Sequence, residues 1–128
     1  MTGPLTVRQA ITYARRLAPL LHLSHWQIDG GDLLPASEDD LARINPTYGR
    51  RLAILSIRDG LTDPTLIRHT ICHELLHLHL ESVVNAAGRA TSLLGGQAKW
   101  LADEGVREAV EQTVDKLATL LAPGLPKP

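Results

Sequence analysis

His73 and His77 stand four residues apart, with Glu74 directly after the first, in the stretch His73-Glu74-Leu75-Leu76-His77. On a helix this spacing sets both imidazoles on one face, roughly 6 Å apart along the axis. Two ring nitrogens so placed can share one metal ion at about 2.0–2.1 Å each. Glu74 projects about 100° round the helix, where it misses the ion yet can reach a water that the ion activates. The pattern implies one Zn2+ ion with a glutamate general base. Leu66, Ile67, Ile71, Leu75, Leu76, Leu78 and Leu80 make the surrounding helix apolar. Burying polar groups among them without a partner is costly, so the two histidines and the glutamate need a reason.

Other nearby residues carry weaker signals. His69 precedes His73 by four and lies on the same stripe, so it could line a cleft or donate to an oxyanion, although helix histidines are commonly just surface residues. Tyr48 or an arginine could fill the same donor role. His79 points elsewhere, and Cys72 reads as a small core residue.

A catalytic zinc usually takes three protein ligands and leaves one position open. The final predicted helix offers Glu104, Glu108 and Glu111, with Asp115 four residues beyond the last. An acidic stripe of this kind is ordinarily a solvated face. Glu111 is the favoured ligand because it sits near the margin of the apolar arc built from Val106, Ala109, Val110, Val114, Leu117 and Leu121. Glu108 lies almost opposite that arc. Asp115, four residues on, is placed to orient a ligating histidine from behind.

The HExxH stretch followed by Glu111-x-x-x-Asp115 resembles the gluzincin branch of zinc metallopeptidases. Glu111-Gln112-Thr113-Val114-Asp115-Lys116-Leu117-Ala118 resembles the glutamate helix of short phage and bacterial metallopeptidases, the ImmA/IrrE-like group and the minigluzincins. The likeness covers roughly residues 50–121. It implies a zincin-like α+β domain, peptide-bond hydrolysis, His73, His77 and Glu111 as zinc ligands, Glu74 as base and Asp115 as support. Trp100-Leu101-Ala102-Asp103-Glu104-Gly105 departs from the Trp-Leu-x-Glu-Gly segment of gluzincin aminopeptidases by one extra residue, which keeps Glu104 open as the ligand.

The elements that must position these groups follow from periodicity and caps. Thr6 and Gln9 form a capping-box pattern, and apolar residues from Val7 to Leu21 recur at helical spacing up to a disturbance at Pro19. Short strands are predicted over 26–28, 41–44 and 51–57, the second ended by Asn45-Pro46. If the third lies at the sheet edge above the metal, an extended peptide could add to it. Thr62-Asp63-Pro64 opens a helix predicted over 64–84. Residues 85–97, with Gly88, Gly95 and Gly96, read as a flexible connection, 98–121 as a last helix, and 123–128 as a frayed tail. The expected fold is one α+β domain spanning 1–128, with an N-terminal helix, a two- to three-stranded sheet, the HExxH helix and a long glutamate helix.

Bulk properties narrow the partners. A net charge of −1 over 128 residues leaves no electrostatic footprint for nucleic acid or an anionic membrane. No run of about 18 apolar residues exists to span a bilayer. A single cysteine excludes an internal disulfide, and Met1-Thr2-Gly3-Pro4 lacks the character of a signal peptide, so a cytoplasmic location is expected. The expected partner is a peptide or protein substrate, with a regulatory protein where the site is latent. The alternative is a zinc-binding, latent or non-catalytic interaction module of the same fold. Glu74 speaks for the enzyme, since a structural zinc needs no glutamate there and is usually closed by four ligands, often cysteines.

Overall fold

A computed structural model describes residues 3–47 and 49–128. Helix α1 spans Val7–Leu17, and Thr6 and Gln9 cap it reciprocally as their spacing predicts. Pro19 tightens the following turn, Ala18–Leu21, into a 3-10 helix. Three strands follow: β1 Gln27–Gly30, β2 Ala42–Thr47 and β3 Leu52–Ile57. Helix α2 is Pro64–Leu76, a 3-10 turn covers His77–Leu80, α3 is Glu81–Thr91 and α4 is Gly96–Leu121.

The sheet order is β1-β3-β2, with β3 parallel to β1 and antiparallel to β2. The strand over 52–57 is therefore central, and β2 is an edge. The expectation of β3 as an edge for a peptide is corrected: its hydrogen-bonding groups are already taken on both sides. Leu41 accepts from the Arg58 amide at 2.7 Å, which fixes the phase of the β2–β3 ladder. Antiparallel pairs alternate between bonded and unbonded, so Arg43 and Asn45 bond to β3. The backbone groups of Ala42, Ile44 and Pro46 face outward. This explains why β2 runs on through Asn45-Pro46, where the sequence pattern ends it. Proline's missing N–H falls on the free side and costs no ladder bond.

One aliphatic core joins these layers. α1 packs on β1 and β3, α2 on β2 and α1, and α4 on α2. Asp63 caps α2 through the Thr65 amide and Pro64 occupies its first turn. Ile67, Ile71 and Leu75 of α2 are fully buried, each stabilising the fold by about 1.5–3 kcal/mol relative to exposure. The architecture is a single α+β domain in which the N-terminal helix and the HExxH helix pack against each other and on the one buried face of a three-stranded sheet.

Three stretches differ from the sequence reading. α2 ends at Leu76 rather than continuing to residue 84, because the chain tightens at His77–Leu80 and then restarts as α3. His79 Nε2–H donates to the Leu21 carbonyl at 2.6 Å, pinning that turn to the end of the first helical segment. The expected connection over 85–97 is largely helical, since α3 reaches Thr91 and packs along α4. The expected frayed tail is held down: Tyr13 Oη donates to the Pro126 carbonyl at 2.6 Å and Arg68 to that of Leu125 at 3.2 Å. Among the described residues of α4, Val114 and Ala118 are the buried ones, while Trp100 and Leu101 near its start are exposed. Among the described residues no helix is long and apolar enough to cross a membrane.

Candidate metal centre

α2 and α4 run antiparallel, so rising numbers on one meet falling numbers on the other. His77 faces Glu111 and His73 lies between Glu111 and Asp115. His77 Nε2 is 3.0 Å from Glu111 Oε1, and His73 Nε2 is 3.3 Å from Glu111 Oε2. On the far side of the His73 ring, Nδ1 is 3.2 Å from Asp115 Oδ1. Val114 and Ala118, buried against the core, turn α4 so that Glu111 and Asp115 flank this contact. The two imidazole rings lie 5.2 Å apart, tilted at 59°.

Glu74 lies beside the same pair, its Oε2 4.0 Å from His77 Nε2. Ligand atoms of His73, Glu74 and His77 all fall within 4.8 Å of one another. The Glu74 carboxyl is driven up to about 8, first by burial and then by the neighbouring charges of Glu111 and Asp40. Arg43 and the Ile44 amide on β2 pull the other way. Burial also lowers His77, against the pull of Glu111, which favours a neutral imidazole.

The donor chemistry fits zinc. Four donors held tetrahedrally at about 2.0–2.1 Å from a centre are separated by about 3.3 Å from each other. The imidazole–carboxylate separations here are 3.3 and 3.0 Å. Two nitrogens and one carboxylate oxygen form a set that suits this borderline-soft ion.

The other glutamates are directed away. Glu104 pairs with Arg107 at 2.6 Å, which holds its carboxyl below the usual range, and Glu108 accepts from Gln112 at 3.3 Å. The residues gather on a cleft of about 820 Å³ between α2, α4 and the free edge of β2. His69 and Thr70 line it too, as do Arg43 and Arg107 from β2 and α4. Ligand atoms of His69, His73 and Asp115 form a second close group, again within 4.8 Å. Tyr48, a candidate oxyanion donor from sequence, lies outside the described residues.

Sequence reasoning did not single out Asp40, Arg43 or the Ile44 amide. Their nearness to Glu74 comes from pairing β2 against β3, and nothing in local spacing announces it. His73-Glu74 and His77 on one helix, with Asp115 beside His73, are consistent with a gluzincin-type zinc metallopeptidase fold. Comparison with known proteins returns no match: no family model, no curated protein and no solved structure matches the chain.

Proposed function

We propose that this protein is a zinc-dependent peptidase in which His73, His77 and Glu111 hold one Zn2+ ion and Glu74 is the general base. The observation that carries the reading is the placing of one part-buried glutamate, Glu74, beside two imidazoles that share a second carboxylate, Glu111, at an open cleft. Zinc, when bound, lowers the pKa of a water in its open position toward about 7 and polarises a carbonyl.

The chain's own groups account for the rest. Asp115 accepts from His73 Nδ1–H, which fixes the tautomer and leaves the Nε2 lone pair aimed at the cluster. Glu74 takes the proton of the attacking water and hands it to the departing amine. Ala42 turns its outward-facing backbone groups toward the cleft, and Ile44 its carbonyl while its N–H serves Glu74, so an extended peptide can pair with β2 there. Pro46 contributes a carbonyl there but no N–H. Arg43 and Arg107 supply cationic donors at the cleft wall.

Metal analysis and peptide hydrolysis by wild type and Glu74→Gln test this. The expected result is equal zinc content with hydrolysis reduced by about 10²–10⁴-fold in the variant, the usual scale for a general base. Equal hydrolysis by both proteins removes Glu74 as the base. Zinc bound without hydrolysis by wild type replaces the peptidase with a zinc-binding module.

A further inference from the structure

The histidine stripe on α2 is longer than the proposed zinc site uses. His69, His73 and His77 repeat every four residues, so two histidine pairs overlap at His73. α4 answers with carboxylates at the same four-residue interval, Glu111 and Asp115. The result is a ladder with two similar steps. One is His73, His77 and Glu111; the other is His69, His73 and Asp115, whose ligand atoms lie within 4.8 Å of one another.

We infer that His69, His73 and Asp115 form a second seat for a borderline-soft divalent cation such as zinc or cobalt, exclusive of the first seat and lacking a base. The donor set is again two imidazoles and a carboxylate, the combination such ions favour. The His73 Nδ1–Asp115 Oδ1 separation of 3.2 Å matches the roughly 3.3 Å between tetrahedral donors. His69 completes the set, its ligand atom within 4.8 Å of both partners.

Exclusivity follows from the chemistry of one ring. A neutral imidazole has a single lone pair and a single N–H. With the Nε2 lone pair turned to the first seat, Nδ1–H donates to Asp115. With the Nδ1 lone pair turned to the second, Nε2–H donates to Glu111, 3.3 Å away. Each carboxylate thus serves as a ligand in one state and as the ring's hydrogen-bond acceptor in the other. Catalytic silence follows from sequence: the residue after His69 is Thr70, where the residue after His73 is Glu74. Asp115 is also more exposed than Glu111, 67% against 49%, so the second seat is the weaker one.

The seat shares His73 with the proposed zinc site but requires no peptidase activity, so the test reads binding. Zn2+ and Co2+ are titrated by calorimetry and visible absorption into wild type, His77→Ala/Glu111→Ala, and that double variant with His69→Ala added. Circular dichroism checks each fold. His77→Asn/Glu111→Gln, closer in shape, repeats the measurement should the alanine pair unfold. Wild type should take one equivalent. The double variant should still take one, about 10–100-fold more weakly, the scale on which loss of supporting groups alters metal affinity. Adding His69→Ala should abolish it. Equal affinity in the double and triple variants overturns the second seat, and two equivalents bound at once in wild type overturn its exclusivity. A peptidase reading that fails through Glu74→Gln leaves these binding results untouched.

Discussion

His73 Nδ1 and Asp115 Oδ1 lie 3.2 Å apart, which joins the HExxH helix to the long C-terminal helix on the side of the ring away from Glu111. The contact orients the imidazole and, when the ion is on Nε2, holds the proton on Nδ1. Removing it should loosen the metal without removing a ligand. Asp115→Ala is expected to weaken zinc binding about 10–100-fold, and Asp115→Asn, which keeps the size and one acceptor oxygen, to recover part of the loss. A competition titration against a chromophoric chelator checks this. Wild-type affinity in Asp115→Ala would show the contact to be passive.

The three glutamates of α4 offer a comparison within one helix. Glu111 faces both histidines, whereas Glu104 and Glu108 are engaged by Arg107 and Gln112. Glu111→Ala should cost about 10–100-fold in zinc affinity, the loss being limited by the second seat at His69, His73 and Asp115. Glu104→Ala and Glu108→Ala should leave it within about twofold, because exposed surface pairs contribute little. A loss confined to Glu104→Ala would reassign the ligand.

Glu74 makes the stability of chelator-treated protein depend on pH. Its folded value of about 8 lies above the ordinary 4.5. The folded chain therefore keeps a proton that the unfolded chain releases, so its contribution is full below about pH 4.5 and is lost as pH rises through about 8. Wild type should lose on the order of a few kcal/mol relative to Glu74→Gln across that window. His77, lowered by burial, acts in the opposite sense in both proteins and drops out of the difference. Urea unfolding at several pH values measures it, and parallel curves for the two proteins would contradict it.

Cys72 reports on the core behind the histidines. It is fully buried, and burial pushes its thiol up to about 11. Thiol reagents need an exposed thiolate, so labelling near pH 8 should proceed only as fast as the protein opens. Stoichiometric labelling within the mixing time under native conditions would show α2 to be loosely packed.

The chemistry was more legible than the architecture around it. His73 and His77 share a face because a helix repeats every 3.6 residues, and that rule needs no tertiary knowledge. Glu111 was favoured over Glu108 from its place beside an apolar arc, yet of that arc only Val114 is buried, and α4 seats on Val114 and Ala118 while Leu117 and Leu121 stay exposed. The halt of α2 at Leu76 was not legible, since no proline or glycine marks it and the turn is fastened by the distant Leu21 carbonyl. Gly88 suggested a loop, yet the alanines around it and the flank of α4 sustain a helix. Pro46 suggested a strand end, because a sequence does not say which strand edge will be left free. For the same reason Asp40 and Arg43 gave no sign that they would meet Glu74.

The seating of α4 on Val114 and Ala118 has a mechanical consequence. The helix behaves as a lever whose fulcrum sits next to its two working carboxylates. Trp100 stands about 21 Å from Val114 along the axis and Glu111 only about 4.5 Å. A swing of about 2 Å at the exposed arm therefore reaches Glu111 as roughly 0.4 Å. Displacements of the outer turns arrive at Glu111 reduced about fivefold, so the donor geometry changes little while the arm moves.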